Sequence, residues 1–276
     1  MPAPDPFEAA ADAVITGDEA ALKALLAAHP DLARAHSRRE HRATLLHYVA
    51  ANGVEDERQM TPPNAVAIAR LLCDAGADAN ATMFAYGAEC APLGLLVSSV
   101  HPHRRGLQGA LAEVLLDHGA EMKGERNASA AVTALAFGYA DTAEILVRRG
   151  VVINLQTAAG LGLIDDFDRL LPAATPEARH QALALAAIHG RTAILVRLLA
   201  AGEDPNRLNP ERFHDHSMPL HQAVWAGHLD VVRVLIEHGA RSDIRDTMWQ
   251  GTPLGWAEHG GQLAIAQYLR QAAPYS

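Results

Sequence analysis

The sequence predicts an all-α chain of stacked helix pairs, and three observations carry that prediction. The first is that Met218–Asp243 reads as two short helices around a glycine. Pro219 opens one helix at a first-turn position, Gly227 closes it, and Leu229, Val231, Val232, Leu235 and Ile236 give the second an apolar face. The second is recurrence: the ending VLIEHGARSD (234–243) has counterparts in LLCDAGADAN (71–80), VLLDHGAEMK (114–123), ILVRRGVVIN (145–154) and RLLAAGEDPN (197–206). The third is composition, since alanine is abundant and only 5% of residues are aromatic, which suits close helix-on-helix stacking. Neither helix of one pair has enough apolar surface to fold alone, so each pair needs neighbours of its own kind.

About eight pairs can be read in order, at 7–41, 42–88, 89–127, 128–154, 155–175, 176–216, 217–250 and 251–272, between a lead-in at 1–6 and a tail at 273–276. The first turns at Gly17, places Leu22, Leu25 and Leu26 on its second helix, and suits a terminal cap. The second starts at Thr44 and turns at Gly53, but its second helix resumes only near Ala65, so 54–64 reads as an insertion. A second insertion, 101–109, interrupts the third pair before the helix that reaches His118. Because both occupy the same place in consecutive pairs, they are expected side by side. Glu55, Asp56 and Glu57 on one would meet His101, His103, Arg104 and Arg105 on the other, as a charge clasp or as a lid. The fourth pair turns at Gly138. The fifth, Leu155–Leu171, begins directly after Asn154 with almost no connection and ends at Pro172. Thr175-Pro176-Glu177 is an N-cap with proline in the first turn and opens the sixth pair, which turns at Gly190. Long connections are expected at 81–90, 207–217 and 244–251, and the eighth pair turns at Gly260-Gly261.

The chain resembles the ankyrin family, whose repeat of about 33 residues carries T-P-L-H-x-A. The matching stretches are Thr44-Leu45-Leu46-His47-Tyr48-Val49-Ala50, Met218-Pro219-Leu220-His221-Gln222-Ala223 and Thr252-Pro253-Leu254-Gly255-Trp256-Ala257. The resemblance implies an all-α ankyrin-type solenoid with long finger loops and a concave groove that serves as a binding surface. It also implies that His47 and His221 bond locally and brace the next finger. By the same resemblance, finger tips and the last residues of each first helix line the groove, which selects Asn52, Phe84, Tyr86, His189, Phe213, Trp225, Trp249 and Trp256 as binding candidates. Aromatics are scarce in this chain, and large amphipathic rings are enriched at binding hot spots.

A net charge of −9 with no offsetting basic stripe argues against a nucleic-acid partner. No run approaches the roughly 18 apolar residues of a membrane span, and the start MPAPDPFEAAAD lacks a secretory pattern. Two cysteines, Cys73 and Cys90, fit free thiols in a reducing cytoplasm. The expected product is a cytoplasmic interaction module that holds a protein segment in its groove, without a cofactor.

Fifteen histidines raise the question of chemistry. His118 and His238 precede Gly-Ala endings, where a helix C-terminus favours a cation. His214-Asp215-His216 is an H-x-H pair; on an extended finger both imidazoles would point the same way, as two metal ligands require. The alternative function is an ankyrin scaffold recruited as a small-molecule binder or enzyme. In it His214, His216 or His259 would act as general base, Asp246 would orient an imidazole, and tryptophans would wall a pocket. No nucleophile elbow, phosphate loop or recognised catalytic spacing accompanies these residues.

Overall fold

A computed structural model of the chain describes residues 5–124 and 129–272; the tail at 273–276 and most of the lead-in lie outside them. The described residues form seventeen helices and one two-stranded hairpin. Sixteen of the helices make eight consecutive pairs: α1 (Pro6–Thr16) with α2 (Glu19–Ala28), α3 (Leu45–Ala50) with α4 (Ala65–Asp74), α5 (Pro92–Leu96) with α7 (Gln108–Asp117), α8 (Ala130–Ala136) with α9 (Ala140–Arg148), α10 (Leu155–Leu161) with α11 (Ile164–Leu170), α12 (Pro176–Ile188) with α13 (Thr192–Ala200), α14 (Pro219–Trp225) with α15 (Leu229–Glu237), and α16 (Pro253–His259) with α17 (Leu263–Ala272). The remaining helix, α6 (Val100–Arg104), is built from the second insertion. No helix is long and apolar enough to cross a membrane among the described residues.

Local chemistry starts and stops these helices. Asp5 accepts from the Phe7 N–H, so α1 already begins at Pro6, within the expected lead-in. Thr175 caps α12 through the Ala178 N–H, and prolines open α5, α12, α14 and α16. At Gly190 the turn has φ 68°, and a Cβ there would lie 2.8 Å from the His228 ring. His118 and His238 each turn Nδ1 onto a carbonyl of their own helix, Val114 and Val234, both at 2.8 Å.

The chain divides into two compact units, Met1–Ala134 with Asp141–Val151, and Leu135–Ala140 with Val152–Ser276. Each uses the Asn of the recurring ending as a staple. In the first, Asn80 donates to Gly119 O and accepts from the Glu121 N–H, both at 2.8 Å. In the second, Asn206 donates to Gly239 O at 2.9 Å and accepts from the Arg241 N–H at 2.8 Å. Asn154 sits at the corresponding place in its ending but caps α10, accepting from the Thr157 N–H at 2.8 Å. The fifth pair thus starts with no finger before it.

In the first unit the 81–90 connection, expected as a loop, closes into a hairpin. Strands β1 (Met83–Ala85) and β2 (Ala88–Cys90) pair antiparallel around Tyr86-Gly87, both with positive φ, the geometry that matches strand twist. The first insertion is bound down on α1. Arg58 donates to Glu8 Oε2 at 2.7 Å and to Asp12 Oδ1 at 2.8 Å, its guanidinium lies 5.8 Å from the Tyr48 ring, and Asn64 donates to Gly17 O. Glu55 was expected to face the second insertion; its ionic partners are instead Arg39 (2.6 Å) and His41 (3.4 Å), from the loop before α3. The hydrogen bond from Arg39, opposed by partial burial and helped by Arg58, holds the Glu8 carboxyl below its ordinary value. Arg58→Ala should therefore lower stability by about 1–2 kcal/mol and open 54–64 to proteolysis, with Arg58→Lys restoring little of either. Thermal unfolding and limited digestion check this; an unchanged midpoint and cleavage pattern would show that the insertion does not depend on Arg58.

The second unit's core runs through Leu155, Phe167, Leu183, Ile194, Leu198, Leu220, Val224, Val231, Leu235, Ile265 and Leu269. Ala158, Ala186, Ala223 and Ala257 are fully buried among them and let helices approach closely. Gly160 serves the same end: a Cβ there would meet Leu135 Cδ1 at 2.7 Å. This packing sets α14 beside α16 and fixes the connections 207–217 and 244–251 above them.

Candidate functional site

Residues from α14, α16 and these two connections surround one cavity of about 760 Å³ in the second unit. Its lining is His214, His216, Gln222, Trp225, Trp249, Gly251, Gly255, Trp256 and His259. All three tryptophans of the chain are among them. Trp256 is the hub. Trp225 and Trp249 meet it edge to face at 6.1 and 5.8 Å between ring centres, while His216 stacks on it at 6.0 Å. His216 also meets Trp249 at 5.0 Å, and His259 stacks on Trp225 at 6.4 Å with planes 17° apart. Trp225 is 54% exposed and Trp249 65% exposed, so both indoles present large faces to solvent beside the cavity.

Asp246 organises the 244–251 connection. Its carboxylate has no exposed surface and accepts from the backbone N–H groups of Met248 (2.9 Å), Trp249 and Gly251 (2.7 Å), and from Trp256 Nε1–H (3.0 Å). Burial pushes this carboxyl up, but those donors outweigh it and bring it down to about 2. The loop is closed further by Asp246 N–H to Gly251 O at 3.0 Å. It is tied to the preceding connection by Thr247 N–H to His216 O at 2.7 Å. Gly251 has no room for a side chain, since a Cβ would sit 2.9 Å from Trp256 and 3.0 Å from Asp246 Oδ2.

His221 braces the loop from below. Its Nδ1 faces the Met218 N–H at 3.5 Å, its Nε2–H donates to Gly251 O at 3.2 Å, and burial lowers its basicity. His47 does the same in the first unit, accepting from the Thr44 N–H at 3.0 Å and donating to Cys90 O at 3.1 Å. Gly255 occupies the corresponding position on α16. A Cβ there would lie 3.6 Å from Thr252 Oγ1, an ordinary contact, and Gly255 itself lines the cavity.

Several expected roles need correction. Asp246 cannot orient an imidazole, because its oxygens already serve four N–H donors. The H-x-H pair is not extended: residue 214 adopts φ 62°, and the rings lie 6.0 Å apart at 85°. His214 Nε2–H is committed to Ala136 O at 3.0 Å, and burial lowers that imidazole's basicity. No group of three or more His, Cys, Asp or Glu is placed to hold a metal ion among the described residues, so His214 and His216 lack a third ligand. Phe213 is only 5% exposed and faces the interior rather than a groove.

His189 belongs to the second unit but lies outside the cavity lining. Its Nε2–H donates to Leu135 O at 2.8 Å, and burial takes it down to about 4. Asn52, Phe84 and Tyr86 form a separate group in the first unit. Tyr86 OH donates to Asn52 Oδ1 at 2.6 Å, Asn52 Nδ2 reaches Leu95 O and Ser98 Oγ, and Phe84 is exposed. The cavity also includes three residues that sequence reasoning did not select: Gln222, Gly251 and Gly255. Gln222 is held by Ser217 Oγ at 2.8 Å. The glycine that replaces histidine in Thr252-Pro253-Leu254-Gly255 was the available signal for the opening above it.

The chain is similar to known proteins in sequence. The family model described as ankyrin repeats (3 copies) matches residues 155–246 and 183–275. Human cyclin-dependent kinase inhibitor 2A is 33% identical over 123 residues, which are 43% of this chain and 76% of that protein. Human cyclin-dependent kinase 4 inhibitor B is 34% identical over 123 residues, or 43% of this chain and 86% of that one. Among solved structures, the human ASB11 ankyrin repeat domain is 22% identical with a TM-score of 0.48, covering 99% of this chain and 100% of that chain.

Proposed function

The chain belongs to the ankyrin-repeat family, and on that premise we propose that this protein-interaction module holds a segment of a partner protein at its second unit, seating one side chain in the cavity beside Trp225, Trp249 and Trp256. The observation that carries the reading is the exposure of Trp225 and Trp249 at the mouth of a cavity whose remaining walls are fixed. Flat indole faces bury area at little rotamer cost, and a fixed pocket needs no ordering when the segment arrives. Two of the relatives are named as inhibitors of kinases, proteins that act on another protein. That supports a protein partner and assigns no kinase here. The reading places the protein in the cytoplasm, supported by two buried free thiols, Cys73 and Cys90.

The test is selection of displayed peptides on the folded chain. Peptides should emerge whose binding falls about 10-fold or more in Trp225→Ala and in Trp249→Ala, while far-UV circular dichroism stays unchanged. Gly255→Leu should also weaken binding by placing a branched side chain in part of the cavity, and it should keep or slightly raise the thermal midpoint because glycine is a poor helix former. If selected peptides bind all three variants as they bind the parent, this surface is not the binding site. The volume of about 760 Å³ also suits a free small molecule. Small-molecule hits that compete with no peptide would favour that second reading.

A further inference from the structure

We infer that the group seated in this cavity is an organic cation, an alkylammonium borne by the partner segment; the inference rests on the segment-binding reading above. Three observations on the cavity point the same way. Its walls are ring faces: three indoles and three imidazoles, with no Lys or Arg among the lining residues. Indole is the aromatic side chain that attracts a cation most strongly through its face.

At the edge of the central ring lies a fixed negative charge. Asp246 stays ionised throughout the neutral range and its side chain is buried from solvent. Its Oδ2 accepts the Trp256 Nε1–H, which polarises the central indole and makes its face a better partner for positive charge. The same oxygen lies 3.0 Å from where a Gly251 Cβ would be, and Gly251 lines the cavity. The carboxylate therefore stands one glycine away from any occupant.

The carboxylate is also saturated. Four N–H groups take its two oxygens, so it offers an occupant field rather than a hydrogen bond. A site made of aromatic rings beside a saturated anion favours a cation that carries charge on carbon-clad nitrogen. An anion would meet the Asp246 field with no lining Lys or Arg to offset it. A neutral apolar group would gain nothing from that charge.

Because the chain's three tryptophans all line the cavity, intrinsic fluorescence reads this site directly. Choline and its uncharged carbon isostere, in which tert-butyl replaces trimethylammonium, should be titrated into the full chain at pH 8. Choline is expected to change the emission saturably and to bind about 10-fold or more tightly than the isostere. Gly255→Leu should weaken the response while keeping its thermal midpoint. Equal affinity for the isostere, no response to either probe, or a response undiminished in Gly255→Leu would each overturn the inference. Peptides that need Trp225 and Trp249 yet carry no cation would also overturn it, and would leave the segment-binding reading standing. Absence of any such peptide would remove that reading instead.

Discussion

Asp246→Ala is expected to destabilise the protein by about 3–5 kcal/mol and to disorganise the tryptophan cluster. The substitution removes one buried acceptor and strands four donors: the backbone N–H groups of Met248, Trp249 and Gly251, and the indole N–H of Trp256. A buried donor left unsatisfied costs about 1–3 kcal/mol, and only part of this is recovered if the loop opens to water. At roughly 2–4 °C per kcal/mol, the thermal midpoint should fall on the order of 10 °C. Asp246→Asn is the sharper variant, because it keeps shape and removes charge. One amide oxygen can still accept from Met248 and Trp249, but the NH2 group then faces the N–H groups of Gly251 and Trp256. It should cost about 2 kcal/mol and alter the near-ultraviolet spectrum of the tryptophans, with far-ultraviolet signal preserved. An Asn variant with the parent's midpoint and near-ultraviolet spectrum would show that the carboxylate is not the organiser of this loop. Its contribution is present above the ordinary Asp range and is lost as pH falls through about 2.

How much of this was legible beforehand depended on the range of the interaction. Helix pairs were readable because their signals are local: Thr175 capping α12, prolines in first turns, and glycine at the turns. The aromatic members of the cavity were readable from their places on helix ends and connections. Their mutual arrangement was not, since it depends on a bracket between Asp246 and Trp256, ten positions apart. The extended conformation assumed for His214 failed for a related reason. A hydrogen bond to Ala136 O, 78 positions away, holds that residue in the left-handed region. Arg58 shows the same limit in the first unit, since its partners Glu8 and Asp12 are some fifty positions upstream. At Asn154 the absent connection was legible, but the role of the side chain was not. It stands in the same motif as Asn80 and Asn206, but α10 begins immediately after it, so its side chain caps that helix instead of stapling the next turn.

Stability should fall steeply between pH 6.5 and about 4. Burial takes His47 and His189 from 6.5 to about 4, and burial also lowers His180, His214 and His221. An unfolded chain binds protons at these residues throughout that window and the folded chain does not, so the unfolding free energy rises with pH there. The stabilisation is fully present above the unfolded value and is lost as pH falls through the folded one. For a group depressed to about 4, the loss is about 3 kcal/mol. Two such groups already rival the 5–15 kcal/mol total stability of a typical domain. Geometry at His47 acts in the same direction as burial: Nδ1 accepts from the Thr44 N–H, and protonation would set two donors against each other. Glu8, Glu55 and Asp246 enter later, because Glu8 and Glu55 are held below their ordinary value and Asp246 at about 2, while burial raises Glu203 and works against the loss. Urea unfolding at pH 7.5, 5.5 and 4.5 should show midpoints level near neutrality and dropping across the window. His47→Gln should be less stable by about 2–3 kcal/mol at pH 7.5 and lose less than the parent on acidification, because one proton-linked group is gone. A parent whose midpoint holds down to pH 4.5 would mean that these imidazoles can charge in place, and that their hydrogen bonds to the next loop do not govern the fold.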